Sequence, residues 1–233
     1  MPLLHVSRHV TGHISGMGQL ILEGRRYRCA LGRGGIAGDK REGDGVTPAG
    51  QFPFRGLLYR ADRLARPDTG LAAQVIKPSD GWCDDPRDSA YNLAVTLPHG
   101  AGAERLWRDD HLYDLVVIMG HNDNPVVRGL GSAIFMHVAG PAYGPTEGCV
   151  ALAREDLLAV LRKLDTNSEI LIEILRLSSL KSSKYLNPAN YSRACLAGRH
   201  RPTCRFPPTR QKAGIQRASR LRNADGGRRW RSR

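Results

Sequence analysis

No stretch of the 233 residues approaches the roughly 20 consecutive apolar residues of a membrane-spanning helix. The first thirty residues also lack the apolar centre of a secretory leader, because PLLHV is interrupted within a few positions by His5, Ser7, Arg8 and His9. Cysteine is scarce: Cys29, Cys83, Cys149, Cys195 and Cys204 form no C-x-x-C pair and leave an odd one out. That count suits a free reactive thiol better than a disulfide framework. There is no RNP-like aromatic motif, zinc-finger spacing or helix-turn-helix pattern, so no specific nucleic-acid recognition is expected. GRGGIAG from Gly32 lacks the Gly-Lys-Ser/Thr ending of a phosphate-binding loop and reads as a turn between strands.

Acidic residues nearly vanish from the last quarter of the chain. Residues 177–233 hold fifteen Lys and Arg against one acid, Asp225, so the whole-chain charge of +13 belongs to this segment and residues 1–176 sum to −1. Few aliphatic residues, several Pro and Gly and no sustained hydrophobic period leave the segment too little apolar surface to offset its ordering entropy. The expectation is one domain over 1–176 and a basic, disordered tail over 177–233. Such a tail is either an electrostatic arm for an anionic polymer, at a cell envelope, a membrane surface or a nucleic acid, or a solvated extension without a role.

Within 1–176 the patterns predict many short strands, at 3–10, 19–23, 27–31, 51–54, 93–97, 115–119, 133–138 and 169–175, with polar loops at 40–50 and 80–88. One helix is expected, over 154–164: Leu157, Leu158, Val160, Leu161 and Leu164 share a face, and Glu155 and Asp156 occupy the first turn, where the helix dipole favours them. The fold class is mainly β, a sandwich or partly closed barrel with loops framing a cleft.

The most informative segment is AIFMHVAGPAYGPTEGCVAL, 133–152, in which His137 and Cys149 stand twelve positions apart around a Gly/Pro/Tyr loop. A thiol needs a base to become a nucleophile, since its ordinary pKa of about 8.5 leaves only a small thiolate fraction at neutral pH. His137, at the end of an apolar strand, is the base; Cys149 is the nucleophile. Gly148 lets the backbone approach a carbonyl, where its N–H and that of Cys149 could hold an oxyanion. Taken alone, each residue also reads as an ordinary core occupant.

At these positions the sequence resembles the L,D-transpeptidase catalytic domain family (YkuD-like), whose signature is a histidine, a variable loop and Ser/Thr-His-Gly-Cys. Here those positions are His137, Thr146, Glu147, Gly148 and Cys149. Glu147 replaces the common second histidine, the loop is short, and Ala151 stands where Asn or Arg is frequent. The resemblance extends to CALGRGG from Cys29, KREGDGVTPAG from Lys40, GWCDDP from Gly81 and GSAIFMH from Gly131, covering roughly 3–175.

It implies a cysteine-dependent acyl transfer between peptidoglycan peptide stems through a thioester, serving cell-wall biogenesis and cell shape, with no metal or organic cofactor. The donor bond would lie between an L-centre and a terminal D-residue, D-alanine would leave, and an amine of a neighbouring stem would resolve the acyl-enzyme. With water as acceptor the same residues make an L,D-carboxypeptidase or cysteine peptidase; a non-catalytic envelope-binding module is the remaining alternative. The family's place of work is the periplasm or cell envelope, in conflict with the missing leader, which leaves a misassigned start, another export route or a cytoplasmic role open.

Weaker candidates complete the reading. His121 and Asn122, after the apolar run 115–119, and Tyr143 and Glu147 in the loop are expected to touch substrate, and Lys40, Trp82 and Tyr91 to wall the cleft. His5, His9 and His13 recur every four residues, but Gly12 and β-branched neighbours argue against a helix that would gather them on a metal. Asp80, Asp84, Asp85 and Asp88 lack the EF-hand periodicity and read as turn formers.

Overall fold

The computed structural model describes residues 3–7 and 17–173; the expectations for residues 9 and 13, for most of the 8–16 segment and for the basic tail lie outside them. In chain order the strands are β1 (Leu3–Ser7), β2 (Met17–Leu22), β3 (Arg25–Ala30), β4 (Ile36–Ala37), β5 (Thr47–Pro48), β6 (Gly50–Tyr59), β7 (Ala73–Val75), β8 (Asp80–Cys83), β9 (Ala94–Thr96), β10 (Ala103–Arg105), β11 (Leu115–Met119), β12 (Phe135–Val138), β13 (Val150–Leu152) and β14 (Glu169–Glu173). A single α-helix among the described residues, α1 (Arg154–Leu161), follows β13.

The main sheet has nine strands in the order β11-β12-β13-β3-β2-β1-β14-β6-β7. β6 is long enough to pair with β14 through 50–53 and with β11 through 54–59, which links the two ends of that order. β8 joins β9 and β10 in a three-stranded sheet, and β4 pairs with β5. The mainly β fold is thus as expected, built of sheets, the largest of them joined back on itself where β6 pairs with β11.

Alternation along the central strands divides their residues between two clusters. Leu115, Val117 and Met119 of β11, Met136 and Val138 of β12, and Val150 and Leu152 of β13 belong to the larger core. Val116, Phe135 and Cys149 belong to a smaller cluster with Ile76, Leu106 and Tyr113. Period-2 side-chain direction explains the split, and each fully buried aliphatic contributes about 1.5–3 kcal/mol. Helix α1 closes the larger core with Leu157, Val160 and Leu161; it ends three residues earlier than the sequence suggests, although Leu164 is buried too. Asp114, wholly buried at the start of β11, is paired with Arg63 at 2.7 Å and Arg154 at 3.4 Å, so the charge is compensated and the helix start is tied to the sheet.

One expectation fails informatively, and one strand has no signal of its own. Asp80–Cys83 was expected to be loop because it is polar and short, yet it forms β8: pairing with Ala94–Thr96 and Ala103–Arg105 satisfies its backbone and buries Cys83. β13, only three residues, carries too little pattern to be read alone and exists because β12 and β3 flank it.

Candidate active site

β12 and β13 run parallel, with Met136 opposite Val150 and His137 opposite Ala151. Continuing that register sets Cys149 beside Phe135, whose N–H donates to Sγ at 3.4 Å. Cys149 and His137 therefore share one face of adjacent strands, offset diagonally by two residues, or roughly 8 Å between Cα atoms from strand spacing and rise. Both line a cleft of about 740 Å³, together with Lys40, Glu104, Tyr113 and Ser132 among others.

At rest the pair is neutral. Cys149 is 7 % exposed and its thiol donates to the Ala133 carbonyl at 3.3 Å. Burial pushes its pKa up to about 12, with the Glu104 carboxylate adding to the rise and the Phe135 N–H and Lys40 opposing it. His137 is equally buried, and burial pulls it down to about 4 against the helping hydrogen bond to Val138. Its Nδ1 lies 2.8 Å from the Val138 carbonyl oxygen. A carbonyl only accepts, so Nδ1 carries the proton and the lone pair sits on Nε2. The Tyr113 ring meets the imidazole edge to face at 5.2 Å and fixes its tilt. No hydrogen bond joins Cys149 to His137 among the described residues.

The loop between them is held by Thr146 and Gly148. Thr146 Oγ1 donates to the Cys149 carbonyl at 2.7 Å and accepts from the Gly148 N–H at 3.2 Å, while its backbone bonds Leu31 and Arg33. Gly148 has φ +137, and a Cβ there would sit 2.8 Å from the Val46 carbonyl oxygen; only glycine fits. The Gly148 N–H, expected to face an oxyanion, is thus engaged inside the loop.

The remaining expected residues scatter. Glu147 is three-quarters exposed on the cleft rim, where it ion-pairs with Arg33. His121 Nε2 donates to the Leu130 carbonyl at 2.9 Å, and Asn122, at φ 51, donates to Val127 and Gly131 and accepts from Val127. Both brace the 121–131 loop and neither lines the cleft. Tyr143 lies in a 3-10 turn outside the lining, with the Arg28 guanidinium 4.3 Å over its ring. His121 and Asn122 thus spend their polar atoms on their own loop, while Tyr143 is held through its ring. Trp82 and Tyr91 stand behind the wall, Trp82 donating to Asn92 at 3.0 Å and Tyr91 to Glu42.

What sequence reasoning missed is the 104–113 segment. Tyr113 donates to Glu104, whose pKa is raised by burial despite that bond and the nearby Arg108. Only the density of charge beside aromatics in ERLWRDDHLY could have signalled it. Outside the cleft, Cys83, Asp88 and His99 offer ligand atoms within 4.8 Å of one another, the one metal-capable group among the described residues, with His99 Nε2 3.5 Å from Asp88 Oδ2.

Two solved structures resemble the chain. L,D-transpeptidase 1 of Mycobacterium tuberculosis is 11 % identical with a TM-score of 0.30, covering 75 % of this chain and 63 % of its own. An L,D-transpeptidase from Mycobacterium smegmatis is 13 % identical with a TM-score of 0.30, covering 74 % and 58 %. The chain thus spans about three fifths of the length of these structures. No curated protein matches it. The family model described as the L,D-transpeptidase catalytic domain, YkuD, matches residues 17–172, which include the cleft and both His137 and Cys149, and the chain belongs to that family.

Proposed function

We propose that the protein is a cysteine-dependent L,D-transpeptidase that transfers acyl groups between peptidoglycan peptide stems at the cell envelope. The observation that carries this reading is the shared face of His137 and Cys149 over one cleft, with Nδ1 committed to Val138 and Nε2 left as the base. The gap between about 12 for the thiol and about 4 for the imidazole makes the ion pair a minor species in the free protein. Proton transfer therefore accompanies attack on a bound carbonyl.

In that step the thiol proton moves to Nε2 as sulfur adds to the carbonyl carbon of the donor stem. Collapse of the adduct expels D-alanine, whose nitrogen takes the proton back from His137, and leaves a thioester on Cys149. An amine of a second stem then attacks the thioester and releases the thiol. With water in place of the amine, the same residues catalyse L,D-carboxypeptidation.

The test is incubation with disaccharide-tetrapeptide, product analysis by mass spectrometry, and C149A as control. Release of D-alanine with a cross-linked dimer supports transpeptidation; release alone assigns water as the acceptor. Products that do not depend on Cys149 would reject both.

A further inference from the structure

The Cys149–His137 pair leaves KREGDG, 40–45, without a role, yet Lys40 is the most deeply placed ammonium in the cleft. Its side chain is 4 % exposed, and its Nζ donates to Asp44 and to the Arg41 carbonyl at 2.9 Å. An ammonium has three protons, so one remains.

Two glycines make room for this side chain. A Cβ on Gly131, φ +96, would lie 2.9 Å from Lys40 Cγ and 3.0 Å from Cε, so the stem passes where any other residue would block it. A Cβ on Gly148 would lie 3.6 Å from Nζ, which sets the charge against the residue preceding the nucleophile. At the same place the Gly148 N–H is turned to Thr146 Oγ1, and Ala151 offers no polar group. The half-buried carboxyl of Glu104 adds opposing charge near the sulfur.

We propose that the Lys40 ammonium is the charged donor of the oxyanion site, holding the negative oxygen formed when Cys149 adds to a substrate carbonyl. The inference rests on the acyl-transfer reading above. As the C–S bond forms, the carbonyl π pair moves onto oxygen and the thiol proton is on His137. Lys40 neutralises that oxygen until the pair returns, the C=O bond reforms and the C–N bond breaks. A charge prepositioned by Asp44 and the two glycines needs no reorganisation when the anion appears.

Two readouts test this, one of them independent of peptidoglycan. The rates of Cys149 alkylation by anionic iodoacetate and neutral iodoacetamide are compared: K40M should lower the iodoacetate-to-iodoacetamide ratio several-fold, K40R should keep it, and D44N, which removes the neutralising carboxylate, should raise it. A ratio unchanged in K40M overturns the proposal. If K40M does not fold, D44N decides in its place, a raised ratio supporting and an unchanged one overturning it.

In turnover of the tetrapeptide donor, K40M should lose about 10²–10³ in kcat with KM within a few-fold, as for loss of an oxyanion donor. A raised KM with kcat intact would instead overturn it. Absence of Cys149-dependent turnover in the unaltered chain defeats the peptidoglycan reading, while the alkylation ratio still decides the place of Lys40.

Discussion

His137 faces Ala151 across the parallel β12–β13 pair, so its imidazole has a methyl group as its cross-strand neighbour. The small side chain keeps the diagonal between His137 and Cys149 open. Ala151 is 1 % exposed and lines the cleft, so a large residue there would fill the space between His137 and Cys149. Ala151→Arg is expected to lower Cys149-dependent turnover by tenfold or more and to cost about 1–3 kcal/mol in urea unfolding. Unchanged turnover would show that His137 does not use that space.

Gly148→Ala combines a positive φ with a Cβ placed 2.8 Å from the Val46 carbonyl oxygen. A loss of about 1–3 kcal/mol is expected, with a fall in Cys149 alkylation as the loop shifts. Denaturant midpoints and mass-spectrometric labelling measure the two effects on the same sample.

Thr146→Val removes a hydroxyl that donates to the Cys149 carbonyl at 2.7 Å and accepts from the Gly148 N–H at 3.2 Å. The expected cost is about 1–2 kcal/mol, since two backbone groups lose their partner while the shape is nearly kept. Hydrogen exchange should rise at Gly148. Thr146→Ser, which retains the hydroxyl, should stay close to the parent.

The buried pair also sets a pH dependence. For His137 the folded value of about 4 lies below the unfolded 6.5, so the unfolded chain binds the proton first. Its contribution is complete above pH 6.5 and is lost as the pH falls through about 4, amounting to about 3 kcal/mol. For Cys149 the folded value of about 12 lies above the ordinary 9.0, so stability is complete below pH 9.0 and declines as the pH rises toward 12. Urea unfolding of H137Q should show a shallower slope than the parent between pH 4 and 6.5, and C149A a shallower decline above pH 9. Parallel slopes in both comparisons would mean that neither group is buried as described.

Much of the framework is local and therefore legible in the chain. LVVIM at 115–119 is apolar enough to be a buried strand whatever its partners, and it is β11. Leu157, Val160 and Leu161 recur at helical spacing after Glu155 and Asp156, and they form the buried face of α1. His137 and Cys149 were legible as residue types at a suggestive spacing, because a strand, a Gly/Pro loop and a cysteine each leave a mark within twenty positions.

Other features depend on partners distant in the chain. β8 is polar and β13 has three residues, so neither has a hydrophobic period; flanking strands supply the hydrogen bonds that make them. His121, Asn122 and Tyr143 are polar residues in loops, and sequence cannot say whether such groups face a ligand or close their own turn. Here they close turns or stack outside the cleft.

By itself, then, the sequence determined a mainly β chain with a cysteine and a histidine bracketing a tight loop, since alternation, turn chemistry and residue type act over a few positions. Only the tertiary structure decided that both would rest neutral, because burial, which no local pattern measures, raises the thiol and lowers the imidazole. It also decided that Lys40, 108 residues from Gly148, would lie against it. That contact follows from the packing of the 40–50 segment over two glycines, and the electrostatics of the cleft follow from the contact.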